Sequence, residues 1–200
     1  MRPGISLRGR VDAVVIGASA GGVEALSLLL PALRPDSGAA IFIVQHIPRD
    51  RPSLLVQIFA NKCALPVREA EDKEPVSPGT VYFAPSNYHL LLDQGPQTAL
   101  SADDPVHHSR PSIDVLFESA ADVYENRLLG IILTGANEDG SLGLAAIHDR
   151  GGITVVQQPE TAHSPQMIMA ALKSGPVDLV LPLPRIVELL GTLNSQGSVE

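Results

Sequence analysis

Short runs of apolar residues alternate along this chain with longer segments that are apolar at helical spacing. Residues 11–16 and 39–45 are rich in β-branched and other apolar side chains, and each run ends at a loop, which is typical of buried strands. Between these runs, residues 22–33 place leucine and valine on one face of a predicted helix. The chain therefore begins as a strand, a helix and a second strand.

The second half of the chain repeats this alternation. Apolar spacing predicts helices at residues 53–61, 111–124, 141–150, 166–173 and 184–193, and strands at 127–133, 152–156 and 179–181. Prolines punctuate the middle, where short strands at 80–84, 89–92 and 98–100 predict an antiparallel insertion or sheet edge. We therefore predict an α/β fold with a doubly wound, mainly parallel sheet, helices on both faces and an antiparallel hairpin insertion.

Length and composition favour one domain. With 200 residues, 44% hydrophobic and 18% charged, the chain can bury a core and is not of the disordered class. We expect a domain at residues 11–193 between an N-terminal extension, 1–10, and a flexible tail, 194–200. No apolar run approaches the ~18–20 residues of a membrane span, so we expect no membrane insertion.

Charge and cysteine content exclude further classes. The formal charge of −8 argues against nucleic acid as a partner. Cys63 is the only cysteine, which rules out an internal disulfide and a cysteine-rich metal site. Together with the absence of a secretory signal pattern, this predicts a cytoplasmic location and no metal site.

The loop after the first strand carries a G-x-S-x-G pattern with Ser19 at its centre. Small neighbours allow a serine to sit on a tight turn at a helix N-terminus, where its hydroxyl can act as a nucleophile. Two other interpretations stay open at this point: the glycines only permit the turn, or the loop binds a phosphate, although the spacing matches no phosphate-binding motif.

Histidines and acids also follow predicted strands. His46 comes directly after the second strand, and His163 follows the 152–156 strand, so we rank His46 first and His163 second as a base. Asp139 and Glu138 both lie in the loop after the 127–133 strand and are candidate acids. Because the carboxyl ends of parallel strands share one edge, Ser19, His46 and an acid are expected to lie there together.

Several stretches resemble the CheB-type chemotaxis protein-glutamate methylesterase domain. The resemblance rests on residues 16–22 (IGASAGG), 45–48 (QHIP) and 133–140 (LTGANEDG), with further matches at 79–85 (GTVYFAP) and 110–117 (RPSIDVLF), and it extends over roughly 11–193. Many members carry a methionine and a second glycine where this chain has Ala136 and Asn137. The family's Met-Pro pair is matched only loosely around residues 164–167.

The resemblance implies a role for each matching residue. Ser19 would be the nucleophile, His46 the general acid and base, and Asp139 the residue that orients His46. The backbone N–H groups of Ala20 and Ala136 would stabilise the oxyanion. A second set of residues is expected to contact the substrate: Gln45, Arg110 and Asn137. No cofactor is implied.

The substrate implied is a glutamate methyl ester on the cytoplasmic helices of methyl-accepting chemotaxis receptors, and glutamine deamidation is a second expected activity. Only about ten residues precede the first strand, so we expect no receiver domain within the chain and control by a separate receiver or regulator protein. Arg49, Arg51 and Arg110 could form a basic patch, or could be solvated loop residues. The alternatives are a non-catalytic protein-binding module of a signalling pathway and a serine hydrolase of another ester or amide.

Overall fold

The computed structural model describes residues 7, 9–47 and 53–193. Most of the predicted extension, the tail at 194–200, and Arg49 and Arg51 of the predicted basic patch lie outside the described residues. The division into an extension, a domain and a tail therefore stays a prediction.

Seven of the described strands form one parallel sheet. They are β1 (Ala13–Ala18), β2 (Ala40–Gln45), β3 (Val67–Glu69), β4 (Val81–Phe83), β7 (Leu128–Ile132), β8 (Ile153–Gln157) and β9 (Leu179–Leu181). Their order is β3-β4-β2-β1-β7-β8-β9, and every pairing is parallel. The strands β5 (His89–Asp93) and β6 (Gln97–Ser101) form a separate antiparallel hairpin. The predicted fold class is confirmed.

Helices cover both faces of this sheet, as predicted. They are α1 (Gly22–Leu29), α2 (Leu55–Phe59), α3 (Ile113–Tyr124), α4 (Ser141–Asp149), α5 (Gln166–Ser174) and α6 (Leu183–Leu190). One core joins α1, α2 and α6 to the sheet through residues such as Leu26, Phe59 and Ile186. The other joins α3, α4 and α5 through residues such as Phe117, Ile147 and Ile168. Strands buried on both faces explain the continuous apolar runs in the sequence.

Two strands differ from expectation. β4 pairs in parallel with β2 and so belongs to the main sheet, whereas the proline-rich pattern had grouped it with the antiparallel insertion. β3 was not predicted, because its three residues are only partly buried and include Arg68. Within the described residues, no helix has the length and apolar character needed to cross a membrane.

The register places three loops at one edge of the sheet. Ala18 at the end of β1 pairs with Gln45 at the end of β2, and Gly17 pairs with Ile132 at the end of β7. The residues that follow these strands, among them Ser19, His46 and the 133–139 loop, therefore emerge side by side from the carboxyl edge.

Candidate active site

Ser19 lies on a tight turn between β1 and α1. Its backbone N–H donates to Thr134 O at 2.9 Å, and its carbonyl accepts from Gly22 N at 2.8 Å. Gly21 precedes α1 in the left-handed region, with φ of 79°, and a side chain there would meet the Cβ of His163 at 2.6 Å. Only glycine satisfies both conditions, so the turn that presents Ser19 depends on it.

His46 and Asp139 form a close pair at the same edge. His46 Nε2 lies 2.8 Å from Asp139 Oδ2, and the two side chains are 12% and 0% exposed. The backbone N–H of His46 donates to Ala18 O at 3.0 Å and so extends the ladder between β1 and β2. The structure thus brings together the histidine that the sequence ranked first and one of its two candidate acids, the one that the resemblance implies.

Asp139 is held by the first turn of α3. Its carboxylate accepts from Ser112 Oγ at 2.7 Å, Ile113 N at 2.7 Å and Asp114 N at 3.0 Å, in addition to the His46 contact. Burial favours the neutral acid, but the hydrogen bonds from His46, Asp114 and Ile113 outweigh it and lower the pKa of Asp139. The helix N-terminus therefore keeps this buried carboxylate ionised.

Ser112 is itself oriented by the hairpin. His89, 2% exposed, accepts from the Ser112 N–H through Nδ1 at 3.1 Å, and its Nε2 donates to Asp104 O at 3.2 Å. The sequence analysis placed His89 only in a short strand of the predicted insertion. Ser112 could have been found as a helix cap because it precedes the apolar face of α3, but no local signal links it to Asp139.

The ring of His46 has one nitrogen left for another partner. Nε2 is taken by Asp139, and Nδ1 lies 3.3 Å from Asn137 Nδ2. Among the described residues, no hydrogen bond joins Ser19 Oγ to either ring nitrogen. The structure therefore joins His46 and Asp139 as a bonded pair and places Ser19 at the end of the neighbouring strand.

Thr134, 2% exposed, binds the surrounding loops together. Its Oγ1 donates to Ala20 O at 2.8 Å and accepts from Ser164 N at 2.9 Å, and its carbonyl accepts from Ser19 N at 2.9 Å. Its own N–H donates to Gln157 Oε1 at 3.1 Å. Sequence reasoning did not single out this residue, which connects the serine turn to two other loops.

Two backbone N–H groups beside this network are available to donate a hydrogen bond to a ligand. No acceptor in the part of the chain that the structure describes bonds the amide of Ala20 or of Ala136. Both residues flank anchored positions, because Ser19 N donates to Thr134 O at 2.9 Å and Gly135 N donates to Ser164 O at 2.9 Å. Fixed, unpaired N–H groups of this kind can stabilise an oxyanion.

Gln45 lies beneath the site rather than on its surface. It is 5% exposed, and its Nε2 donates to Ser19 O and to His46 O, both at 2.9 Å. The side chain thus links the strand ends that carry the serine and the histidine. Its contact with a substrate stays a prediction.

Arg110 is held by the loop that precedes α3. Its guanidinium donates to Ala102 O at 2.6 Å, Asp103 O at 2.9 Å and Asn87 Oδ1 at 3.0 Å. These bonds hold the two terminal nitrogens of the guanidinium, whereas the buried Nε has no hydrogen-bond partner among the described residues. The substrate contact predicted for Arg110 stays a prediction.

The rival candidates lie nearby but outside the bonded pair. His163 is exposed and packs against Gly21, and Glu138 is 70% exposed with Oε1 3.4 Å from His107 Nδ1. A cavity of about 660 Å³ opens beside Asn137 and Glu138 and reaches α5 at Met169 and Lys173. Among the described residues, no three His, Cys, Asp or Glu side chains are grouped as a metal site would require.

Known proteins are similar to this chain in both sequence and fold. The family model of the CheB methylesterase matches residues 14–190. A protein of Leptospira interrogans is 47% identical over 186 residues, covering 93% of this chain and 96% of that protein. A protein of Anaeromyxobacter dehalogenans, named protein-glutamate methylesterase/protein-glutamine glutaminase 2, is 44% identical over 184 residues, covering 92% of this chain and 54% of that protein.

A solved structure agrees with these sequence matches. The crystal structure of the Thermotoga maritima CheB methylesterase catalytic domain superposes with a TM-score of 0.87 and 34% sequence identity, covering 92% of this chain and 98% of that one. Family, relatives and fold coincide over nearly the whole described chain. The chain belongs to the CheB methylesterase family.

Proposed function

We propose that this protein is a serine hydrolase that removes methyl esters from glutamate side chains of methyl-accepting chemotaxis receptors and deamidates receptor glutamines. The observation that carries the proposal is the buried His46–Asp139 pair, 2.8 Å apart, at the sheet edge where the Ser19 turn also emerges. The name of the Anaeromyxobacter dehalogenans relative, which gives both activities, supports the choice of substrate.

The chemistry follows from the proton positions. Ser19 Oγ attacks the ester carbonyl carbon while its proton passes to His46 Nδ1, because Nε2 is bonded to Asp139. The tetrahedral intermediate then expels methoxide, which leaves as methanol with the proton from His46, and a glutamyl-enzyme ester remains. Water, deprotonated by His46, hydrolyses this ester and restores Ser19. With a glutamine substrate, the leaving group is ammonia.

Electrostatics of the site match these steps. The ionised Asp139 stabilises the imidazolium that forms on His46 and holds the ring in one orientation. The amides of Ala20 and Ala136 are the candidate donors to the oxyanion, since no acceptor among the described residues engages them. The negative charge thus develops beside fixed N–H groups, and the positive charge develops beside a fixed carboxylate.

Replacing the nucleophile tests this proposal directly. Ser19→Ala should abolish methanol release from a methylated receptor, because the Ser19 hydroxyl forms the ester intermediate in the proposed reaction. Ser27→Ala is a matched control: Ser27 Oγ bonds Val23 O within α1, away from the sheet edge, and its loss should leave the rate unchanged. Wild-type methanol release by Ser19→Ala would show that the nucleophile is wrong.

The finer points of the substrate and the location belong to the same proposal. We expect the cytoplasmic helices of the receptors to supply the ester, and hence a cytoplasmic enzyme, which the single free thiol of Cys63 supports. Control by a separate receiver or regulator protein stays a prediction.

A further inference from the structure

Asn137 touches both members of the buried pair. Its Nδ2 lies 3.3 Å from His46 Nδ1, and its Oδ1 accepts from the backbone N–H of Asp139, also at 3.3 Å. The second contact fixes the orientation of the amide, because only the oxygen can accept from an N–H. The NH₂ group of Asn137 therefore faces His46.

The proton on neutral His46 can be placed in the same way. Asp139 is ionised and offers only acceptors, so His46 Nε2, 2.8 Å from Oδ2, carries the hydrogen. Nδ1 then holds a lone pair, and the Asn137 amide donates to it. This lone pair is the one that must receive the Ser19 proton in the proposed reaction.

We propose that Asn137 competes with Ser19 for His46 Nδ1, so that its amide must leave before the serine can be activated. The inference rests on the proposed function. In the resting structure the amide occupies the base, and no hydrogen bond among the described residues joins Ser19 Oγ to His46. Once His46 has taken the proton, Nδ1–H would face the NH₂ group of Asn137, donor against donor, so the contact cannot persist through the reaction.

The cavity beside Asn137 gives its amide room to move away from His46. Asn137 is half-buried and lines the cavity of about 660 Å³, which continues toward Met169 and Lys173 on α5. A substrate segment that enters this cavity meets the Asn137 side chain beside the base. Occupation of the cavity thereby releases His46 for Ser19, and Asn137 is a positioning residue that makes activation depend on the substrate.

A small probe that reacts with serine but does not fill the cavity measures the competition. With a fluorophosphonate, Ser19 Oγ forms a bond to phosphorus, fluoride leaves, and the serine proton passes through His46 to water. Loss of one neutral hydrogen bond at His46 should make labelling about threefold to tenfold faster in Asn137→Ala. The rate is followed by mass spectrometry of the full-length protein.

Two further variants separate the contact from its consequences. Asn137→Ser keeps a hydroxyl that can accept from the Asp139 N–H but cannot reach His46, so it should also be labelled faster while retaining the loop. Asn126→Ala removes an exposed amide just before β7, at the edge of the sheet opposite the site, and should be labelled at the wild-type rate. Unfolding temperatures measured by circular dichroism establish that each variant is folded.

Each result decides the question. Unchanged or slower labelling in both Asn137 variants overturns the competition while leaving Ser19 as the nucleophile. Equally faster labelling of Asn126→Ala overturns it too, because the contact with His46 would then not be the cause. If the wild type is labelled no faster than Ser19→Ala, the proposed function fails and the inference fails with it.

Discussion

Replacing Asp139 by asparagine would remove the negative charge of the buried carboxylate while keeping the shape of the side chain. Each carboxylate oxygen accepts two hydrogen bonds: Oδ1 from Ser112 Oγ and Asp114 N, and Oδ2 from His46 Nε2 and Ile113 N. An NH₂ group in either position faces a backbone N–H. The variant therefore buries at least one unpaired donor at the start of α3.

The size of the effect follows from these contacts. A buried donor left unpaired costs about 1–3 kcal/mol, and bonds to a charged group are worth more than bonds to a neutral one, so we expect a loss of about 2–4 kcal/mol in unfolding free energy. For a protein of this size, such a loss lowers the unfolding temperature by roughly 5–15 °C. The rate of methanol release should fall by roughly 10⁴-fold, since the orienting and stabilising charge of Asp139 is gone.

The loss of unfolding free energy in Asp139→Asn should depend on pH in a defined direction. Because the pKa of Asp139 is lowered in the folded protein, its ionised form contributes stability that is complete above the ordinary aspartate range near ~3.9 and disappears as pH falls through the folded pKa. The difference between the wild type and Asp139→Asn should therefore be present above about pH 4 and shrink as pH falls below it.

Asp114 is the matched control, in the first turn of the same helix. It is also buried, but burial raises the pKa of Asp114 despite a 2.7 Å bond from Gly143 N, so its ionised form lowers stability as pH rises through the folded pKa. An asparagine keeps an acceptor for Gly143. Asp114→Asn should be as stable as the wild type or more stable at pH 7, as followed by thermal unfolding. Equal destabilisation by both variants at pH 7 would refute the argument from charge.

Two other substitutions test the turn that presents the serine. Thr134→Val removes the hydroxyl that bonds Ala20 and Ser164, and should lower the unfolding free energy by about 1–3 kcal/mol and slow Ser19 labelling, whereas Thr134→Ser should restore both. Slow labelling in the serine variant as well would assign the effect to packing of the methyl group. Gly21→Ala forces a side chain into a backbone with φ of 79° and against His163, so denaturant unfolding should show a loss of at least about 1 kcal/mol together with slower labelling. A fully stable, fully reactive Gly21→Ala would mean that the turn is not constrained as described.

The sequence predicted the parts of the site that depend on strand ends. Ser19, His46 and Asp139 follow apolar runs, and a parallel sheet brings such positions to one edge whatever the strand order. The fold class was predicted for the same reason, because alternating strands and helices allow few topologies. Strand ends and the alternation of strands with helices are both visible in the local pattern of apolar residues.

The hydrogen bonds that position these residues could not be predicted in this way. His89 reaches Ser112 and Thr134 reaches Ala20 only because the hairpin and two loops dock on the sheet edge, and nothing in the neighbouring sequence records that docking. The local pattern does not decide the role of Arg110 either. Its guanidinium donates to three loop acceptors, and its buried Nε has no hydrogen-bond partner among the described residues.

The strand order has a consequence for how the protein acquires its chemistry. β1 is synthesised long before β7, which begins only at Leu128, yet β1 lies in the middle of the sheet between β2 and β7. The Ser19 turn is bonded to Thr134, so it stays incomplete until residues far along the chain have emerged and closed a large loop, a slow step in folding. A nascent chain thus carries the proposed nucleophile before it can use it, and hydrolytic competence arises only when the sheet closes.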